Sequence, residues 1–127
     1  LLQEEAELEE IVRLVGMDAL SPGDRLKMEV SRSIREDFLH QVAFHEVDTH
    51  STLRKQDLLM KLILLYYDAS VEALAQGADI NDIVSLGVRE KIGRFKYVPE
   101  KEIEDTFIQN EARLKHEIGQ ALTKEVV

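Results

Sequence analysis

Three histidines at intervals of five, His40, His45 and His50, with Glu46 and Asp48 among them, are the residues of this chain whose types most invite chemistry. Imidazole and carboxylate are good zinc ligands, and a small metal-dependent enzyme is one function class they open. A zinc metalloprotease, however, sets its two histidines four apart on one helix face, H-E-x-x-H. Here the histidine after His45–Glu46 comes one place too late, and five residues along a helix turn the second ring about 140° from the first. The plainer reading is of histidines in a surface loop. Neither a G-x-x-x-x-G-K-[ST] phosphate loop nor a G-x-G-x-x-G is present, the six glycines are scattered, and no spacing suggests a Ser–His–acid arrangement. The chain alone therefore reads as non-catalytic, with no catalytic residue, cofactor or metal ligand assigned to it.

Recognition is the other chemistry on offer. The stretch from His40 to Thr52 is polar and without a trusted period, and Phe44, next to Ala43, is its aromatic exception. Such a residue either anchors a loop in the core or presents its face to a planar ligand. Between Met17 and Asp24, the apolar Met17, Ala19 and Leu20 sit beside Asp18 in a tight turn. That tip is either a simple helical-hairpin turn or a small docking patch. A third cluster, Arg89, Lys91, Arg94 and Lys96 beside Phe95 and Tyr97, has the basic-aromatic mixture that binds nucleic acid. With 16 basic against 25 acidic residues and a formal net charge of -9, a solvated face or an intersubunit contact is the better reading, and no nucleic-acid partner is expected.

The elements that must position these residues are helices. Leu8, Ile11, Val12 and Val15 form one face of a first helix over about 2–15, with Glu4, Glu5, Glu7, Glu9 and Glu10 solvating the rest. Gly16 stops it. Ser21, Pro22 and Asp24 start a second, over about 22–39: a hydroxyl cap, a proline at the first position, and an acid three residues after the cap. Leu26, Val30, Ile34 and Phe38 are its stripe, and its other faces are basic against the acidic first helix. A third helix, about 53–76, carries Leu59, Leu62, Ile63, Tyr66, Ala69 and Ala73, widened by Leu58 and Leu65. So broad a stripe implies more than one neighbour. A shorter fourth begins near Asn81 on Ile80, Ile83, Val84 and Val88, with a break expected between Leu86 and Gly93. Pro99 opens a fifth, reaching about Glu125, on Ile103, Phe107, Leu114, Ile118 and Leu122, with Glu111 as a polar gap. No stretch alternates with period two, so the fold class is all-α, a bundle of about five helices.

Length and composition agree. A chain of 127 residues suits one domain over 1–127 and one core. With no cysteine there is no disulfide framework or thiolate site. The longest apolar run, Leu58 to Tyr67, contains Lys61 and falls far short of the ~20 residues of a spanning helix, so no direct membrane insertion is expected. The chain begins at Leu1 inside a helical pattern, without an initiator Met, and reads as a piece of a longer protein.

The stretch GMDALSPGDRLKMEVSRSIREDFL, followed by QVAFHEVD, resembles the C-terminal helical domain of the catalytic A subunit (alpha chain) of archaeal-type, or A-type, ATP synthases. It is similar, more distantly, to vacuolar-type A subunits and F-type beta subunits. GVREKIGRFKY, from Gly87 to Tyr97, is a second matching block, and the likeness covers roughly Leu1 to Pro99. The resemblance implies a complete subunit that holds ATP or ADP and magnesium in an upstream nucleotide domain. It implies partners in the B subunit of a hexameric ring and a central shaft subunit. The helical domain would be the lever coupling ATP synthesis or hydrolysis to rotation and to ion (hydrogen ion) transport, in a complex peripheral to the cytoplasmic face of the cell membrane. By the same resemblance, Phe44 with Ala43 forms the adenine side of the nucleotide pocket, and Met17, Asp18, Ala19, Leu20, Ser21 and Asp24 belong to the loop that pushes on the shaft. F-type beta subunits carry a dense acidic run there. Here only Asp18 and Asp24 remain, broken by Pro22 and Gly23, which points to shape and apolar contact. Composition and periodicity alone also allow a free-standing acidic adaptor that binds a protein partner through the 17–24 tip.

Overall fold

The computed structural model describes residues 2–16, 20–39 and 53–126. Among these there is no strand. Helix α1 spans Leu2–Val15 and α2 Pro22–Ser33, the latter continuing without interruption into a wider, π-type turn at Ile34–Leu39. Helix α3 is Leu53–Ala75; α4, Ile80–Val84, and α5, Val88–Gly93, are the two halves of the fourth helical run. Two 3-10 turns, Phe95–Tyr97 and Glu100–Glu102, lead into α6, Ile103–Val126.

The stripe of α3 sets the architecture. Leu58, Leu59, Leu62, Ile63, Tyr66 and Ala73 are all buried, and the helix packs on α6 along one side and on α2 along the other. Leu26 and Val30 from α2, Ile34 from its π-type extension, Ile83, Val88, Ile92 and Phe95 from the short elements, and Ile103, Leu114, Ile118 and Ala121 from α6 complete one continuous core. Phe95, one of the two aromatics of the basic-aromatic cluster, is its largest fully buried side chain. That cluster is therefore not a single surface: Tyr97 is exposed, with the Lys96 ammonium 5.5 Å from its ring, while Phe95 and Arg89 turn inward. The Phe38 side chain lies outside the described residues.

Helix ends follow local chemistry. Gly77 has a φ of 103° and closes α3: the Ala78 N–H donates to the Ala73 carbonyl at 3.0 Å, and Ala78 is buried behind it. This is the left-handed cap that lets the last carbonyls find donors. The break in the fourth run comes at Ser85–Gly87, and Gly93 stays within α5. Ser85 donates from its hydroxyl to the Asn81 carbonyl at 2.7 Å, drawing off a carbonyl at the end of α4. The Val88 N–H donates to Glu117 of α6 at 2.9 Å, so α5 is capped from another helix. Pro99 is followed by one 3-10 turn before α6 begins.

Two stripes differ from expectation. On α1, Ile11 is 42% and Val15 66% exposed, and the line turned to α2 is Glu5, Leu8 and Val12. Helix α1 packs chiefly on α2, and a helix with one neighbour buries a narrow line, not a wide face. Buried Glu5 is paired: Arg35, in the π-type turn that follows α2, donates to its carboxylate at 2.5 Å, and Lys27 of α2 reaches Glu4 at 2.9 Å. That contact holds the Glu4 carboxyl below, and the Lys27 ammonium above, their usual ranges. On α6 the polar position on the inner face is Asn110, 6% exposed, with Glu111 beside it at the edge of the contact.

Candidate functional site

The tip is built by two helix ends. Gly16, at φ 95°, ends α1, and its N–H donates to the Val12 carbonyl at 2.9 Å. Ser21 caps α2 with extended backbone, φ -64° and ψ 158°, and its hydroxyl accepts the Asp24 N–H at 3.1 Å. Pro22 occupies the first helical position, where its missing N–H costs nothing. Asp24 lies in the first turn, where the helix dipole favours an acid. Leu20 is half-buried at the junction. Arg25 then donates to the Asn81 side chain at 2.6 Å, tying the start of α2 to α4. Met17, Asp18 and Ala19 lie outside the described residues, as do Ala43, Phe44, His40, His45, His50, Glu46 and Asp48. The structure thus brings Leu20, Ser21 and Asp24 together at one end of α2.

The opposite end of α2 is held by a cluster that local sequence patterns do not reveal. Arg89, from α5, donates to the Glu29 carboxylate at 3.0 Å, the Val84 carbonyl at 2.8 Å and the Ser33 hydroxyl at 3.3 Å. Its second terminal nitrogen also reaches the Glu29 carbonyl at 3.5 Å. The guanidinium carbon sits 5.6 Å from the centre of the Tyr66 ring. Arg89 and Glu29 are both largely buried, at 22% and 16% side-chain exposure. Tyr66 donates to the Ile83 carbonyl at 2.8 Å. Burial pushes its phenol up to about 12, against a smaller opposing pull from the Arg89 charge.

The partners of Arg89 on α2 are 56 and 60 residues away in sequence, which is why no motif announces them. The reading of Arg89 as part of a solvated face is corrected here: its fork of donors finds α2 and α4 while its guanidinium stands over the Tyr66 ring of α3. Lys55, on the first turn of α3, is also buried, at 2% exposure. Its ammonium donates to the Lys96 carbonyl at 3.3 Å and stands 3.7 Å from Glu100.

Chemically, the described residues offer packing, caps and ion pairs. None of their His, Asp and Glu side chains gather in threes suited to a metal ion. No helix among them is long and apolar enough to cross a membrane.

Comparison with known proteins gives this geometry a context. Residues 1–84 match the family model for the C-terminal domain of V and A type ATP synthase. The V-type ATP synthase alpha chain of Acetivibrio thermocellus is 56% identical over 126 residues, covering 99% of this chain and 21% of that protein. The V-type ATP synthase alpha chain of Clostridioides difficile is 53% identical over 124 residues, 98% of this chain and 21% of its own length. That of Thermoanaerobacter pseudethanolicus is 59% identical over 103 residues, 81% and 18%. The likeness therefore continues beyond Pro99, and the chain spans about a fifth of the length of these curated relatives. On the family match and these identities, the chain belongs to the C-terminal domains of V and A type ATP synthases.

Proposed function

We propose that this domain is the helical lever of the catalytic subunit of a rotary ATP synthase, transmitting movement between a nucleotide site and a central shaft. The observation that carries the reading is α2 with its π-type extension. It is one uninterrupted rod from Pro22 to Leu39, roughly 25 Å long at 1.5 Å per residue. The tip residues Leu20, Ser21 and Asp24 stand at its start, and the stretch containing Ala43 and Phe44 follows its end. A rod whose stripe is locked into a close-packed core passes on a displacement instead of absorbing it.

In this reading ATP or ADP and magnesium are held by an upstream nucleotide domain. The part played by this chain is the adenine side, through Phe44 and Ala43. The B subunit of the ring and the shaft subunit are the partners, and the assembly stands at the cytoplasmic face of the membrane. The great length of the relatives compared with this chain supports a place within a larger subunit over a free-standing adaptor.

The test is rotation in the assembled enzyme. Leu20→Asp combined with Asp18→Ala should lower ATP-driven torque while leaving nucleotide binding intact. Unaltered torque would remove the tip as a coupling surface. Phe44→Ala in the complete subunit should weaken ATP binding and leave the domain folded; unchanged affinity would remove the adenine assignment.

A further inference from the structure

Helix α3 is apolar over more of its circumference than the bundle covers. Beside the line that faces the core, a second line runs along its outer side: Met60, Leu64, Tyr67 and Val71, at steps of four, three and four. Alternating steps of four and three form the seam with which one helix seats another. The line is roughly 17 Å long at 1.5 Å per residue. Leu64 is 41% and Val71 46% exposed, and Met60 and Tyr67 are half-buried.

Helix α1 opens on the same side. Both α1 and α3 pack on α2, and Lys27 of α2 lies between them. Its ammonium is 2.9 Å from Glu4 of α1, and Tyr67 of α3 is near enough to act on its charge. Glu4, Ile11 and Val15 recur at i, i+7 and i+11, which is one face of a helix. The side of α1 turned to Lys27 is therefore the side that carries the exposed Ile11 and Val15. The two apolar lines form the walls of one trough, and α2 is its floor.

The rim of the trough is acidic. Glu7 on α1 and Asp68 and Glu72 on α3 are exposed, and among the described residues none of the three has a cation within ion-pair reach. Other acids nearby are balanced in place, Glu4 by Lys27 and Asp57 by Lys61. A second copy of this chain would bring the same acids against these, and like charges facing each other across an interface are repelled. A helix whose apolar stripe is bordered by Lys or Arg matches both the spacing and the charge of the trough.

We propose that the trough between α1 and α3 seats a basic amphipathic helix contributed by another subunit. This rests on the reading that the domain works inside a multisubunit enzyme, and not on which residues touch the shaft.

The test uses the complete subunit in the assembled enzyme. Leu64→benzoylphenylalanine places a photoreactive ring in the trough, and mass spectrometry of the illuminated complex identifies what it captures. The expected product is a peptide of a different subunit, with apolar residues at helical spacing and Lys or Arg beside them. Leu64→Asp with Val71→Asp, both at exposed positions, should weaken retention of the captured subunit by about tenfold or more, a loss of about 1.4 kcal/mol. Asp68→Lys with Glu72→Lys should weaken it in the same direction and reduce its sensitivity to salt. Capture within the same subunit, capture of a second copy, or capture of an acidic or non-helical segment would each overturn the proposal. So would an assembled enzyme in which Leu64→benzoylphenylalanine captures nothing. Loss of torque in the tip variants without capture at Leu64 would overturn this proposal alone and leave the lever standing.

Discussion

Gly16 and Gly23 flank the same turn, yet they respond in opposite ways to an added methyl group. Neither has an atom within 4 Å of where a Cβ would stand, so space does not separate them. Conformation does: Gly16 has a φ of 95°, whereas Gly23 lies in the first turn of α2 without a positive φ. Gly16→Ala should cost about 1–2 kcal/mol, and Gly23→Ala should stabilise by roughly 0.4–1 kcal/mol; thermal or urea unfolding of the domain reads both. Tyr66 gives a pH test. Its phenol is raised to about 12 in the folded domain from an ordinary 10.0, mainly by burial. Folding therefore disfavours the phenolate. The stability tied to the neutral phenol is fully present below pH 10 and is lost as pH rises through about 12, by up to roughly 3 kcal/mol. Tyr66→Phe should lose its hydrogen bond to Ile83 at neutral pH but remove most of this alkaline decline. At this scale what the sequence reveals depends on distance along the chain. The Ser21–Pro22–Asp24 cap is readable because its partners are three residues apart. The partners of Arg89 lie on a helix brought near only by the finished fold, so its charge alone suggested solvent.

At the scale of elements, α1 is the loosely held member. Among its described side chains Leu8 is the one buried apolar residue, and it stands apart from the main core; ion pairs from Glu4, Glu5 and Glu9 to Lys27 and Arg35 do much of the remaining holding. Helix α3, by contrast, is enclosed by α2, α6 and the short helices. Amide hydrogens of α1 should exchange faster than those of α3 by on the order of tenfold or more, through local opening. Salt should widen that gap, because raising it from 0.1 M to 1 M shortens the screening length from about 10 Å to about 3 Å. Equal protection of the two helices would show that α1 opens only with the whole domain. The stripes of α2 and α3 were readable in advance because each faces the core over its full length. On α1 the apolar periodicity outruns what its packing on α2 covers, leaving Ile11, Leu14 and Val15 exposed. On α6 the inner polar position is Asn110 and not Glu111, because period alone does not fix which side of a turn meets α3.

For the whole molecule, the all-α class and the place of α3 at its centre follow from periodicity. How the bundle is joined at Arg89 and Lys55 does not, since those links cross between distant elements. The arrangement that matters is the single rod of α2, with the tip at one end and the flank of residues 40–52 at the other, fixed to the core between them. If the domain is a lever, its tip must touch the shaft while the shaft turns. The chain has no cysteine, so Leu20→Cys offers one attachment point in this domain, and a bifunctional reagent in the assembled enzyme can ask what lies beside it. The most direct measurement is ATP-driven rotation before and after that cross-link, and again after its cleavage. Capture of the shaft subunit, arrest of rotation and recovery on cleavage are the expected results. A tip that captures no shaft subunit, or a cross-linked shaft that turns freely, would contradict the lever.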